Sequence, residues 1–242
     1  MRRAALFPIL LLMLLAAVDA GAQGLDLRIG GFLPRTRDCG IPSNQRAEYT
    51  LFQDVCELYA VDPNAFDGVY GGVEYNHLLT KNLEAAIHLD GYSKTVDTFY
   101  RDYERPKNGG NIYQTLRLRT APLGVSLRFV PTSKRAKVAP FVGGGIDAVF
   151  YQYEEYGDFI DFFDPDYAIY ADHFIDDGVA FGAHAFGGIR FYVNRDFAVV
   201  GEARYMWSAT DMGDDFAPNE PGFVNRIDLS GWTWTVGVHV RF

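Results

Sequence analysis

From Gly24 onward, apolar and polar residues alternate with period two, which places them on opposite faces of extended strands. Leu25, Leu27, Ile29 and Leu33 share one parity, with Asp26 and Arg28 between them. The same alternation runs through Val69, Val73 and Tyr75, through Leu83, Ala85, Ile87 and Leu89, and through Leu123, Val125, Leu127 and Phe129. It returns in Val142, Ile146, Ala148 and Phe150, and in Phe181, Ala183, Ala185, Ile189 and Phe191. Phe197, Val199, Ala203, Tyr205 and Trp207 follow, and then Trp232, Trp234, Val236, Val238, Val240 and Phe242. The pattern predicts eight strands. Short connections (79–82, 131–136, 194–195) alternate with long ones (34–67, 93–114, 154–177, 209–226), as in antiparallel barrels with short periplasmic turns and long outer loops. Within the first long loop, 51–60 predicts a short helix.

The two faces separate a lipid-facing barrel from a water-soluble one. A soluble barrel turns its apolar parity inward, whereas a membrane barrel turns it toward lipid and fills its interior with the polar parity. Here the polar parity is rich in Gly and carries charges of both signs, and the apolar parity ends in aromatics such as Tyr75, Phe129, Phe150, Phe191, Tyr205 and Trp207. Aromatic rings with a polar edge favour the headgroup level. The expected fold is therefore all-β, an eight-stranded antiparallel transmembrane up-and-down β-barrel with long outer loops.

The amino terminus fits export. Arg2 and Arg3 precede an apolar run over 4–18, and Ala20-Gly21-Ala22 supplies small residues for cleavage. That run is shorter than the roughly 20 residues a helical span needs. The expectation is a cleaved signal peptide, 1–22, and a barrel domain, 23–242. Composition supports the class: hydrophobic residues are 48%, charged residues 22%, and the 242-residue chain carries a formal charge of −9. The acidic balance argues against a nucleic-acid partner, whose phosphates need a basic surface.

An eight-stranded barrel has an interior that side chains can fill. The inward parity holds Asp26, Glu74, Glu84, Asp90, Asp147 and Glu202 against Arg28, Arg128, Arg190, Arg204 and Arg241, so an interior salt-bridge network is expected. His88, His184 and His239 share that parity. No close ligand spacing such as H-x-x-x-H appears, so they are read as histidines of the polar network, with neither metal nor cofactor. No His stands near a Ser at catalytic spacing, and no enzymatic activity is expected.

The final segment, Gly231-Trp-Thr-Trp-Thr-Val-Gly-Val-His-Val-Arg-Phe242, resembles the carboxy-terminal assembly signal of Gram-negative outer-membrane proteins. Val138-Ala-Pro-Phe-Val-Gly-Gly-Gly-Ile146 is similar to the fifth strand of small barrels of the outer-membrane protein A and W type. The resemblance covers 24–242. It implies the outer membrane as location, its lipid and lipopolysaccharide as surroundings, and recognition of Trp232, Trp234, Val236, Val238, Val240 and Phe242 by the barrel-assembly machinery. No peptidoglycan-binding domain is expected after the barrel, so tethering to the cell wall is not implied.

The segment 154–177 is dense in Asp and Glu, without Lys or Arg, and interleaved with Tyr and Phe. Like charges repel unless a cation or basic partner intervenes, so Asp158, Asp161, Asp164 and Asp166 form a candidate loop site for a divalent cation or basic ligand. The competing expectation is a solvated loop whose rings pack on the barrel rim. Cys39 and Cys56, the only cysteines, share the first loop of an exported chain, which predicts a loop disulfide. The expected role is structural or surface-interaction through acidic outer loops. The alternatives are a narrow channel for a small or hydrophobic solute and, behind it, a lipid A-modifying enzyme.

Overall fold

A computed structural model describes residues 23–35, 50–62, 64–106, 109–132, 136–162, 164–213, 216 and 226–242. The expected signal peptide, 1–22, and Cys39 of the expected disulfide lie outside these residues. The strands are β1 (Gln23–Pro34), β2 (Gly68–Leu78), β3 (Leu83–Glu104), β4 (Asn111–Phe129), β5 (Val138–Ile160), β6 (Ile169–Tyr192), β7 (Phe197–Asp211), β8 (Arg226–Asp228) and β9 (Gly231–Arg241), with helix α1 (Leu51–Leu58) between β1 and β2. Each long strand pairs antiparallel with the next, β7 pairs with β9, and β9 pairs with β1, so eight strands close in a ring. The short β8 pairs only with the outer end of β7. A closed ring leaves no free sheet edge, the condition for placing strands in lipid.

The exterior is apolar where the strands alternate as the sequence predicts. Phe181 is 79% exposed, Val69 70%, Ile146 64% and Val236 55%, and their neighbours on the same parity form a continuous belt. A belt of this extent greatly exceeds the apolar patches of water-soluble monomers. Its stable surroundings are acyl chains.

Two of the expected long loops are largely strand. Residues 93–104 belong to β3 and 111–114 to β4, while 154–160 belong to β5 and 169–177 to β6. The connections shrink to 105–110 and 161–168. A tilted strand crosses the hydrocarbon core in about 9–11 residues, whereas β3 has 22 and β6 has 24, so roughly half of each projects beyond it. Period two persists in the projecting halves, with the chemistry of the two faces exchanged. On β3, the inward parity changes from His88 and Asp90 to Tyr92, Val96 and Tyr100, and the outward parity from Ile87 to exposed Ser93, Thr95 and Asp97. On β4, inward Ser126 and Arg128 give way to Leu118, Leu116 and Ile112. On β5, outward Ile146 and Phe150 give way to Gln152. This exchange marks the outer edge of the apolar belt.

The exchange sets opposite tolerances on one wall. Ile146→Arg, in the belt, is expected to destabilise the barrel by about 2–4 kcal/mol in lipid vesicles, and Thr95→Arg, beyond it, to leave stability within about 0.5 kcal/mol. Denaturant titration of both variants checks this, and equal effects would contradict the assigned edge.

Candidate functional site: a barrel interior in two layers

The inward residues within the belt form one connected ion network. Arg28 of β1 reaches Glu74 at 3.1 Å, Asp90 at 3.0 Å and Glu202 at 2.8 Å. Arg128 of β4 binds Glu74, donates to Asn76 Oδ1 at 2.6 Å, and lies 3.3 Å from Glu202 and 3.5 Å from Asp26. Arg190 of β6 joins Glu84 at 2.9 Å to Asp26 at 3.3 Å. Arg204 of β7 meets Glu202 at 2.9 Å and Glu74 at 3.1 Å. His239 of β9 contacts Asp26. Arg128, Glu74 and Asp26 have essentially no solvent exposure, so each charge is held by partners rather than water. Beneath Arg128 lie the rings of Phe141, 4.4 Å from its guanidinium carbon, and Phe186, 5.3 Å away. Arg241 stands apart at the inner mouth, donating to the Tyr192 hydroxyl and covering its ring.

His88 and Asp147 are placed by a glycine. His88 of β3, Gly124 of β4 and Asp147 of β5 occupy one register row. A Cβ at Gly124 would lie 2.1 Å from Asp147 Oδ1 and 2.5 Å from His88 Cε1, so the missing side chain is what lets the two groups meet across β4. Asp147 also meets His184 Nδ1 of β6 at 2.6 Å, and His88 Nε2 at 3.0 Å. Among the described residues, His88, Asp147 and His184 are the one set of three or more His, Cys, Asp or Glu side chains close enough to share an ion.

Above the network the interior is an apolar plug. Phe52, Val55 and Cys56 of α1 pack with Phe32, Phe66, Tyr92, Tyr100, Leu116 and Tyr153, all buried. The helix is amphipathic: Leu51, Phe52, Val55 and Cys56 are buried against the barrel interior, while Glu57 is exposed. Its first turn is fixed by Gln53, whose side chain accepts the Thr50 N–H at 3.0 Å. Tyr59, just past the helix, donates to Glu155 Oε2 at 3.2 Å, and Tyr153 donates to Glu155 Oε1 at 2.7 Å. Sequence pattern gave no sign of this buried carboxylate, because Glu155 sits in a stretch read as acidic loop. Burial pushes the Glu155 carboxyl above the usual carboxylate range, and the same burial raises the Tyr59 phenol. Between plug and network the open space is about 10 Å³, bordered by Tyr70, His88, Asp147, Arg204 and Met206.

The outer carboxylates separate. Asp158 is paired with Arg105, Asp164 accepts the Asp166 backbone N–H at 2.7 Å, and Asp161 lies on the turn between β5 and β6. Asp158, Asp161, Asp164 and Asp166 do not gather into an ion-sized cluster among the described residues. Of the terminal segment, Trp232, Trp234, Val236, Val238 and Phe242 face outward, and Trp232 and Trp234 stack at 5.9 Å.

Two variants test the layers. Arg128→Ala leaves Glu74, Glu202 and Asp26 short of a partner and is expected to cost about 3–5 kcal/mol, read as a lower urea midpoint in micelles; an unchanged midpoint would contradict the network. Because the folded-state pKa of Glu155 is raised, its stabilising contribution is complete below the unfolded value and declines as pH climbs through the folded value. Hydrogen-exchange protection of 51–60 should therefore fall as pH rises above about 4.3, and Glu155→Gln should flatten that dependence.

No family model and no curated protein matches the chain. Solved structures do. The outer membrane protein OprG from Pseudomonas aeruginosa superposes with a TM-score of 0.53 at 11% identity, covering 92% of this chain and 96% of that one. Neisserial surface protein A gives 0.49 at 11% identity (92% and 98% covered), and outer membrane protein W from E. coli gives 0.44 at 16% identity (93% and 100% covered). The closed ring of eight antiparallel strands, the apolar belt and the ionic interior together make this chain an eight-stranded barrel with the fold of the small outer-membrane proteins.

Proposed function

We propose that the chain is a non-conducting outer-membrane barrel that anchors two long hairpins at the cell surface, with a structural or surface-contact role and no catalytic step. The observation that carries this reading is the doubly filled lumen: an ion network within the belt and an apolar plug above it, with about 10 Å³ between them. That volume holds about one water. A conducting pore needs a continuous polar path, and the plug interrupts it with Phe52, Val55 and Leu116.

The hairpins offer the contact area. At their tips Tyr103, Phe162, Tyr167 and Tyr170 are exposed, and edge contacts link Tyr100, Tyr103, Phe162 and Tyr167 across the two hairpins. Asp164, Asp166 and Asp172 belong to the same β5–β6 hairpin, so the surface suits a basic or cationic ligand with apolar bulk. Lipid and lipopolysaccharide would contact the belt and its aromatic rim, and the assembly machinery the outward face of β9. A Cys39–Cys56 bridge would fasten the first loop to α1, where Cys56 is buried.

Planar-bilayer recording of the refolded protein tests the reading. No discrete current steps are expected, and regular unitary steps would overturn it in favour of a narrow channel.

A further inference from the structure

We infer that His88, Asp147 and His184 form an intramembrane site for one divalent transition-metal ion of the zinc class. The three side chains come from β3, β5 and β6, and their ligand atoms all lie within 4.8 Å of one another. Two imidazoles and a carboxylate are a donor set that suits zinc and its neighbours. Ligands around a tetrahedral zinc ion stand about 3.3 Å apart, given bonds of about 2.0–2.1 Å. His88 Nε2 and His184 Nδ1 already lie 3.0 Å and 2.6 Å from the Asp147 oxygens, so a small outward movement admits an ion. Three protein ligands leave the fourth tetrahedral position for water, since Asp90 is salt-bridged to Arg28 at 3.0 Å and lies outside the set.

Three further observations point the same way. The first is a conflict at His88 Nε2, which lies 3.0 Å from Arg204 Nη1 and 3.0 Å from Asp147 Oδ1. A guanidinium only donates and an ionised carboxylate only accepts, so one neutral ring nitrogen cannot satisfy both. An ion takes that nitrogen's single lone pair, so Arg204 gives up His88 and stays held by Glu202 and Glu74 at 2.9 Å and 3.1 Å. The second is the far side of each ring. His88 Nδ1 and His184 Nε2 are buried without a hydrogen-bond partner among the described residues, so each can carry the ring proton while the facing nitrogen presents its lone pair. The third is charge. Among the described residues Asp147 is ion-paired only with His88 and His184, whereas Asp26, Glu74, Glu84, Asp90 and Glu202 each meet a guanidinium, so its charge lacks a permanent counterion when the histidines are neutral. A cation at this place supplies that counterion where an unpaired charge is costly. Gly124 and Gly145 make the room: a Cβ at Gly145 would stand 2.8 Å from His184 Cε1.

The test refolds the full barrel in micelles with Zn²⁺ or Co²⁺, dialyses it against metal-free buffer, and measures metal per chain on material with folded, heat-modifiable gel mobility. About one ion per chain is expected, with the visible absorption of low-coordinate Co²⁺ and a higher urea midpoint for metal-loaded wild type. Asp147→Asn and His184→Gln should reduce retained metal to the level of buffer blanks. His173→Gln, at the exposed outer surface, should retain it. Folded wild type without metal, or equal retention in Asp147→Asn, would overturn the site. The wild-type spectrum and stability shift keep the test decisive if either variant fails to fold.

Discussion

Charge enclosed in a lipid-surrounded cylinder must find its partner within the cylinder, and the lower half of this protein is organised by that requirement. Water is absent on the outside and scarce within, so each carboxylate depends on a guanidinium or imidazole from another strand. The four arginines act as crossbars. Arg28 ties β1 to β2, β3 and β7, Arg128 ties β4 to β1, β2 and β7, and Arg190 ties β6 to β1 and β3. These are mostly strands that share no ladder. The network's net contribution to stability is modest, because desolvation offsets much of the attraction. Its larger effect is on register: a slip of one strand by one residue would turn that strand's charges toward acyl chains.

The same wall then solves a second problem without changing its geometry. Strands β3 to β6 stay paired past the belt, for example Val96 opposite Leu116 and Leu118 opposite Tyr153, with a register shift on β3 between Phe99 and Glu104. The inward parity stays inward, and only the surroundings outside change from hydrocarbon to water. Apolar side chains accordingly move to the inside, where α1 completes a core like that of a soluble barrel. One sheet thus carries a membrane protein's interior below and a soluble protein's interior above.

That change of face explains what the sequence made legible. The belt strands were readable because their apolar parity is uninterrupted, from Leu83 to Leu89 or from Trp232 to Val240. Their extensions alternate equally well, but a template of apolar-outward strands loses them at the crossover, and the Asp and Tyr residues between 154 and 177 read as loop composition. The helix over Leu51–Leu58 lay within the predicted 51–60, where Leu51, Phe52, Val55 and Cys56 recur at helical spacing among polar residues. The gathering of His88, Asp147 and His184 left no mark on spacing. Their meeting depends on pairing across β4 and on the space above Gly124, whereas familiar ligand motifs repeat within one helix or loop.

The two layers also bear on how the lumen could open. Moving α1 outward would expose Tyr92, Leu116 and Tyr153 to water and break the Tyr59–Glu155 contact, yet the arginines beneath would still be held by Glu74, Glu202 and Asp26. Loosening the arginines would leave the apolar plug in place above them. Opening a path therefore needs two unrelated interactions to fail together, one apolar and one ionic, and neither failure makes the other easier. A solute would have to supply binding energy in both layers to pass. A ligand at the hairpin tips needs neither, which favours the proposed surface-contact role over passage through the lumen.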